Sequence, residues 1–85
     1  MVVNNAARQR FEIVIDGHLA KLNYRETDGQ IDMVHTEVPE TLGGRGLGNK
    51  LAEAALTYAR EKQLRVIPSC SFVQKYIARH SELKG

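Results

Sequence analysis

The sequence predicts an α+β fold within a single domain of 85 residues. Three runs of alternating apolar and polar residues, separated by short turns, fill the first half of the chain, and such runs are typical of strands. A glycine-rich stretch then leads into an amphipathic helix, and a short apolar run and a second helical pattern follow. Strands grouped before helices favour a sheet with helices packed on it.

The three predicted strands form a meander. They cover residues 8–16, 19–26 and 30–38. Asp16-Gly17 is a favoured two-residue hairpin turn, and Thr27-Asp-Gly-Gln30 supplies the second turn. Strands joined by hairpins pair antiparallel with their neighbours along the chain, so we expect an antiparallel three-strand sheet.

The second half predicts two helices around one short strand. The first helix covers residues 47–63, because apolar residues recur there on one face: Leu47, Leu51, Ala54, Ala55, Tyr58 and Ala59. Residues 64–69 form a fourth strand, which the helical crossover places parallel to the third. Pro68 cannot donate to a ladder, so pairing is expected to stop there. The C-terminal helix covers residues 71–83, with Ser71 as its cap.

The glycine-rich stretch predicts an anion site. Its glycines are Gly43, Gly44, Gly46 and Gly48. A strand before them and a helix after them aim backbone N–H groups and the positive end of a helix dipole at one point, which suits a phosphate or pyrophosphate. A Walker loop is excluded because Asn49 stands where its lysine is required, and a dinucleotide fingerprint needs wider glycine spacing. A flexible connector is the remaining alternative.

The composition argues against a nucleic-acid-binding, disulfide-containing or membrane-spanning protein. A net charge of +2 and 6% aromatic residues give no support for nucleic-acid binding. The single cysteine excludes an internal disulfide and fits a reducing compartment. No apolar run is long enough to span a membrane, and the N-terminus lacks a signal core. We therefore expect a soluble cytoplasmic protein without a metal site, whose residues 1–7 are loose.

Three ionisable side chains are candidates for chemistry. An unbroken period of two puts His35 and Glu37 on the face that carries Ile31 and Met33, just before the glycine loop. They form either an exposed polar pair at a sheet edge or part of the site. Cys70 falls at the start of the last helix, where the helix N-terminus favours a nucleophilic thiolate. A buried structural cysteine is the alternative.

The chain resembles the GCN5-related N-acetyltransferases, in particular their small single-domain branch. The resemblance rests on the loop from Gly43 to Gly48, the His35-Thr-Glu-Val38 strand and the late Cys70 before a short helix. Gly46 and Gly48 match the last two positions of the family pattern Q/R-x-x-G-x-G/A, whereas Gly43 departs from its first. The resemblance implies a truncated acetyltransferase fold with acetyl-CoA as the cofactor. The implied contacts to acetyl-CoA are Val38, Gly43, Gly44, Arg45, Gly46, Leu47, Gly48, Lys50 and Ile67.

The resemblance also implies transfer of an acetyl group to an amine, by one of two mechanisms. In one, Cys70 carries the acetyl group and His35 is the base that activates the thiol; in the other, Glu37 is the general base for direct attack by the amine. A backbone N–H near Ile67 polarises the thioester carbonyl in both. The acceptor amine is not identified, because Asp16-Gly17 closes a hairpin where larger members carry the helices of the acceptor pocket. The alternative function is a non-catalytic CoA-binding or interaction module.

Overall fold

The computed structural model describes residues 1–80, which form a five-stranded sheet and two α-helices. The strands lie across the sheet in chain order: β1 (Val3–Asn5), β2 (Arg10–Ile15), β3 (His18–Thr27), β4 (Gln30–Glu37) and β5 (Arg65–Ile67). The helices are α1 (Leu47–Glu61) and α2 (Ser71–Arg79), and short 3₁₀ turns cover Ala6–Arg8 and Glu40–Leu42. The predicted α+β fold is confirmed. Neither helix of this range is long and apolar enough to cross a membrane.

The predicted strand pairing is also confirmed. β2, β3 and β4 form the antiparallel meander, and β5 runs parallel to β4, with Gln30 opposite Arg65 and Asp32 opposite Ile67. Helix α1 ends at Glu61 rather than at Gln63. Gln63 has a left-handed φ of 58°, a conformation that ends a right-handed helix. The predicted end of α2 at residue 83 lies outside the described residues.

The N-terminal residues differ from the expected loose segment. Val3–Asn5 form strand β1, which pairs antiparallel with β2 along Glu12 to Arg10. The Tyr24 hydroxyl donates a 2.7 Å hydrogen bond to Asn4 Oδ1 and fixes this strand against the meander. β1 covers the edge that β2 would otherwise expose, and unpaired edges invite association with other chains. Three residues were too few to show a strand period in the sequence.

One face of the sheet carries the core. Both helices pack on this face, where the side chains that alternate inward are buried. Small residues in α1, such as Ala52 and Ala55, let the helix approach the sheet closely. The opposite face of the sheet is not covered by a helix within residues 1–80. It carries polar and charged side chains, as expected for an antiparallel sheet with one face toward water: Arg10, Glu12, Lys21, Asn23, Arg25 and Asp32.

A β-bulge in β4 changes which face its last residues occupy. Tyr24 pairs with Met33 and Asn23 pairs with His35, so Val34 is an extra residue without a cross-strand partner. Beyond the bulge, Thr36 lies opposite the fully buried Leu22, and directly opposed residues point to the same face. Thr36 therefore faces the core and the helices. His35 and Glu37 point to the open face, which corrects the prediction that they share the face of Ile31 and Met33.

The parallel strands β4 and β5 separate where Pro68 was expected to end their pairing. β5 pairs only with residues 30–32 of β4. The N–H of Cys70 then donates a 2.8 Å hydrogen bond to Met33 O. Within the described residues, the rest of β4, from Val34 to Glu37, has no strand partner on this side. Beyond Met33, the edge of β4 on the β5 side is therefore unpaired with any strand of residues 1–80 beside the start of α2, and we call this stretch the opening between β4 and β5.

Candidate functional site

The glycine loop builds an uncapped helix start. Gly44 and Gly46 have φ values of 81° and 70°, which side chains rarely adopt, and no atom lies within 4 Å of a Cβ placed on either residue. Gly46 is the N-cap of α1 and offers no side-chain hydrogen bond. The first intrahelical bond runs from Lys50 N to Gly46 O, at 3.2 Å. The N–H groups of Leu47 and Gly48 therefore have no acceptor within the helix.

Gly48 and Gly43 have different structural roles from Gly44 and Gly46. A Cβ on Gly48 would lie 2.7 Å from Cζ of Phe72 in α2, so this glycine lets the two helices pack. Gly43 closes the 3₁₀ turn, since its N–H donates a 3.0 Å hydrogen bond to Glu40 O. The loop therefore combines open backbone at Gly44 and Gly46 with close packing at Gly48.

The charge around the loop favours an anion. Arg45 and Lys50 are exposed, one within the loop and one in the first turn of α1. No acidic residue lies in that first turn. The ion pairs found among residues 1–80, Arg10–Glu12 and Lys21–Glu37, do not involve either of these basic side chains. Both cations are thus available to a phosphate beside the positive end of the helix dipole.

Cys70 lies at the N-cap of α2, one residue before the expected cap Ser71, and is 8% exposed. Its Sγ lies 3.4 Å from Oγ1 of Thr36. Burial raises the pKa of the thiol, but hydrogen bonds from the Thr36 side chain and from the backbone N–H groups of Val73, Phe72 and Thr36 outweigh burial, so the pKa is lowered. The pKa shift expected at a helix N-terminus is present, and it arises from hydrogen bonds.

His35 and Glu37 lie on the other side of β4 from Cys70. Both are exposed, and Glu37 Oε1 lies 3.8 Å from Lys21 Nζ, which is a weak, solvated ion pair. The structure therefore brings His35 and Glu37 together on the open face, but it does not place His35 against the Cys70 thiol. The β4 side chain that does contact Cys70 is Thr36.

Thr36 is the site residue that sequence reasoning missed. A period of two from Ile31 and Met33 assigns Thr36 to the opposite face, and only the bulge at Val34 turns it toward Cys70. No bulge signal, such as a glycine, is present in β4. The expected cofactor contacts Val38 and Ile67 are half-buried; Val38 directly follows the end of β4, and Ile67 is the last residue of β5.

Two surface grooves lie away from this site. One, of about 710 Å³, is lined by the β3–β4 turn and the end of α1, including Glu26 and Lys62. The other, of about 550 Å³, runs between α1 and α2 and includes Leu56 and Tyr76. Neither groove is lined by the glycine loop. These grooves and the glycine loop are therefore separate parts of the surface.

Comparison with known proteins identifies the family of this chain. A family model described as GCN5-related N-acetyl-transferase matches residues 10–85. Protein NATD1 from Mus musculus is 35% identical over 79 residues, which cover 89% of this chain and 72% of that protein. Protein NATD1 from Homo sapiens is also 35% identical, with 89% and 70% covered, and the Xenopus tropicalis protein is 33% identical, with 89% and 72% covered. The chain belongs to the GCN5-related N-acetyltransferase family.

Proposed function

We propose that this protein binds acetyl-CoA and transfers its acetyl group to an amine. The observation that carries the proposal is the uncapped, glycine-built start of α1, which lies at the same end of the sheet as the opening between β4 and β5. A pyrophosphate and an extended thioester arm need these two features side by side. The family membership supports the same cofactor.

The residues present fit such a cofactor. The N–H groups at Gly46, Leu47 and Gly48 would hold the pyrophosphate, with Arg45 and Lys50 adding charge-assisted hydrogen bonds. The backbone of Gly43 and Gly44 completes the cradle. Along the opening, the edge of β4 beyond Met33, up to Val38, and the end of β5 at Ile67 would hold the pantetheine arm. The cofactor would supply an acetyl group already activated as a thioester.

Two routes for the acyl group follow from the placement of the side chains. Cys70 lies on the helix side of β4 with a lowered thiol pKa, so its thiolate is placed to attack the thioester carbonyl. That attack would release CoA as its thiolate and leave the acetyl group on Cys70, and the amine would then take the acetyl group and return the Cys70 thiolate. Glu37 and His35 lie on the open face, where each is placed to take a proton from an amine that approaches from that side. In this arrangement His35 serves the acceptor rather than the thiol.

A second function is favoured by one observation. Cys70 is only 8% exposed, and free cysteines are often buried structural residues. In a non-catalytic CoA-binding module, the glycine loop would bind the cofactor while Cys70 packs in the core. The single cysteine is compatible with a reducing compartment, so we place either function in the cytoplasm.

A thermal-shift panel of CoA, acetyl-CoA, NAD and ATP tests the cofactor class. A ligand that binds the folded state raises the melting temperature by mass action. We expect CoA and acetyl-CoA to raise it and NAD and ATP to leave it nearly unchanged. A rise with ATP or NAD alone would contradict the proposal. Incubation with acetyl-CoA and a panel of amines, followed by mass spectrometry, then separates the enzyme from the binding module.

A further inference from the structure

The contact between Thr36 and Cys70 links the two sides of the opening. Thr36 Oγ1 lies 3.4 Å from Cys70 Sγ; Cys70 is buried and Thr36 is half-buried. The backbone fixes this distance, because Cys70 N donates to Met33 O on the same strand. The bulge at Val34 is what turns Thr36 toward the thiol. A strand of regular period would present His35 there instead.

Among the groups that lower the pKa of the Cys70 thiol, the Thr36 hydroxyl is the one that a side-chain substitution can remove. The other groups that lower the thiol pKa are backbone N–H groups of Thr36, Phe72 and Val73, which no side-chain substitution removes. All of these groups are neutral, so within residues 1–80 the pKa of the thiol is lowered by hydrogen bonds rather than by a charged side chain. Among these groups, the Thr36 hydroxyl is the side chain that acts on Sγ. A hydroxyl can donate to a thiolate, whereas a valine of the same shape cannot.

We propose that Thr36 is a positioning residue that holds Cys70 Sγ at the opening and donates a hydrogen bond to its thiolate form. Its part in acyl transfer rests on the function proposed above, but its effect on the thiol does not. The direction in which the thiol pKa changes when the hydroxyl is removed shows whether Thr36 or Cys70 donates the hydrogen bond. If Thr36 donates, loss of its hydroxyl raises the pKa of the thiol. If Cys70 donates to Thr36, the same loss lowers that pKa or leaves it unchanged.

The test is a pH titration of the thiolate by its ultraviolet absorbance, in the wild type, Thr36→Val and Thr36→Ser. Because the chain has one cysteine, subtraction of a Cys70→Ser titration isolates the signal. This readout needs no reagent to reach the buried sulfur. We expect Thr36→Val to move the midpoint up by about one pH unit, as loss of one hydrogen bond to a charged group predicts. Thr36→Ser restores the wild-type midpoint.

Thr36→Ala repeats the test should the valine variant fail to fold. An unchanged or lowered midpoint in the folded hydroxyl-free variants would overturn the proposal. Acetyl transfer is measured in parallel. A wild type that transfers nothing but shows the midpoint shift refutes the proposed enzyme and leaves the Thr36 contact established. An active wild type matched in kcat by Thr36→Val refutes the positioning role and leaves the enzyme standing.

Discussion

Replacing Gly48 by alanine tests whether this glycine is needed for α1 to pack against α2. Gly48 lies in the first turn of α1, and its added Cβ would lie 2.7 Å from Cζ of Phe72 in α2. Real Cβ atoms do not approach so closely, so the ring must move. Phe72 is 36% exposed, which gives its ring room to swing toward solvent.

The expected energies follow from these contacts. Overpacking costs about 1–3 kcal/mol, and a ring with a free side should cost about 1 kcal/mol. Alanine in a helix is more stable than glycine by about 0.5–1 kcal/mol, with the smaller value expected in a first turn. Gly48→Ala alone should therefore destabilise the protein by only about 0.5 kcal/mol. In a Phe72→Ala background, the clash is gone and Gly48→Ala should stabilise by about 0.5 kcal/mol.

The assay is urea unfolding of the four proteins in the double-mutant cycle. We expect a coupling energy of about 1 kcal/mol between Gly48 and Phe72. Gly46→Ala is the matched control, because no atom lies within 4 Å of its Cβ and its cost is backbone strain of about 1–2 kcal/mol. That cost should be the same with and without Phe72. Additive effects for Gly48→Ala would refute the packing explanation for this glycine.

Two further predictions concern charged and ionisable side chains. Arg45→Ala should bind CoA more weakly and with a shallower dependence on salt, because a surface cation loses its attraction as ions screen it. Arg25→Ala, which removes an exposed cation on the other face of the sheet, should not change the salt slope. Tyr58 donates a 2.6 Å hydrogen bond to Glu26, which together with burial and the Glu26 charge raises the pKa of Tyr58 from 10.0 to about 12. Since the folded protein holds this proton more tightly, its stabilising effect is complete below pH 10 and is lost as the pH rises toward 12. Urea unfolding over this range should show a smaller loss for Tyr58→Phe, and equal losses would contradict the assignment.

The strand pairing was predictable from the sequence because turn chemistry and alternation are local signals. Asp16-Gly17 specified the β2–β3 hairpin, and Pro68 marked the point where β5 leaves β4. The glycine spacing likewise placed the open loop at the start of α1. Each of these features is determined by a few neighbouring residues, because the backbone preferences of glycine, aspartate and proline fix the turn or the end of the strand.

The remaining features depend on contacts between distant residues. The residues around Val34 give no sequence signal for a bulge. The bulge is visible only in the pairing of β3 with β4, whose register differs on the two sides of Val34. It reverses the faces of His35 and Thr36, which changed the composition of the candidate site. The packing role of Gly48 required knowing where Phe72 lies. β1 is stabilised by pairing with β2 and by Tyr24, both distant from it in sequence.

Isothermal titration of CoA into the wild type and Gly46→Val tests the central claim, that the loop at the start of α1 binds the cofactor. Gly46 is the right position because its Cβ meets no protein atom, so the variant disturbs the loop backbone without the Phe72 clash. Circular dichroism establishes that the variant is folded. We predict binding to the wild type and clearly weaker binding to Gly46→Val. Equal affinity in the folded variant, or no binding to the wild type, would contradict the proposed role of the loop.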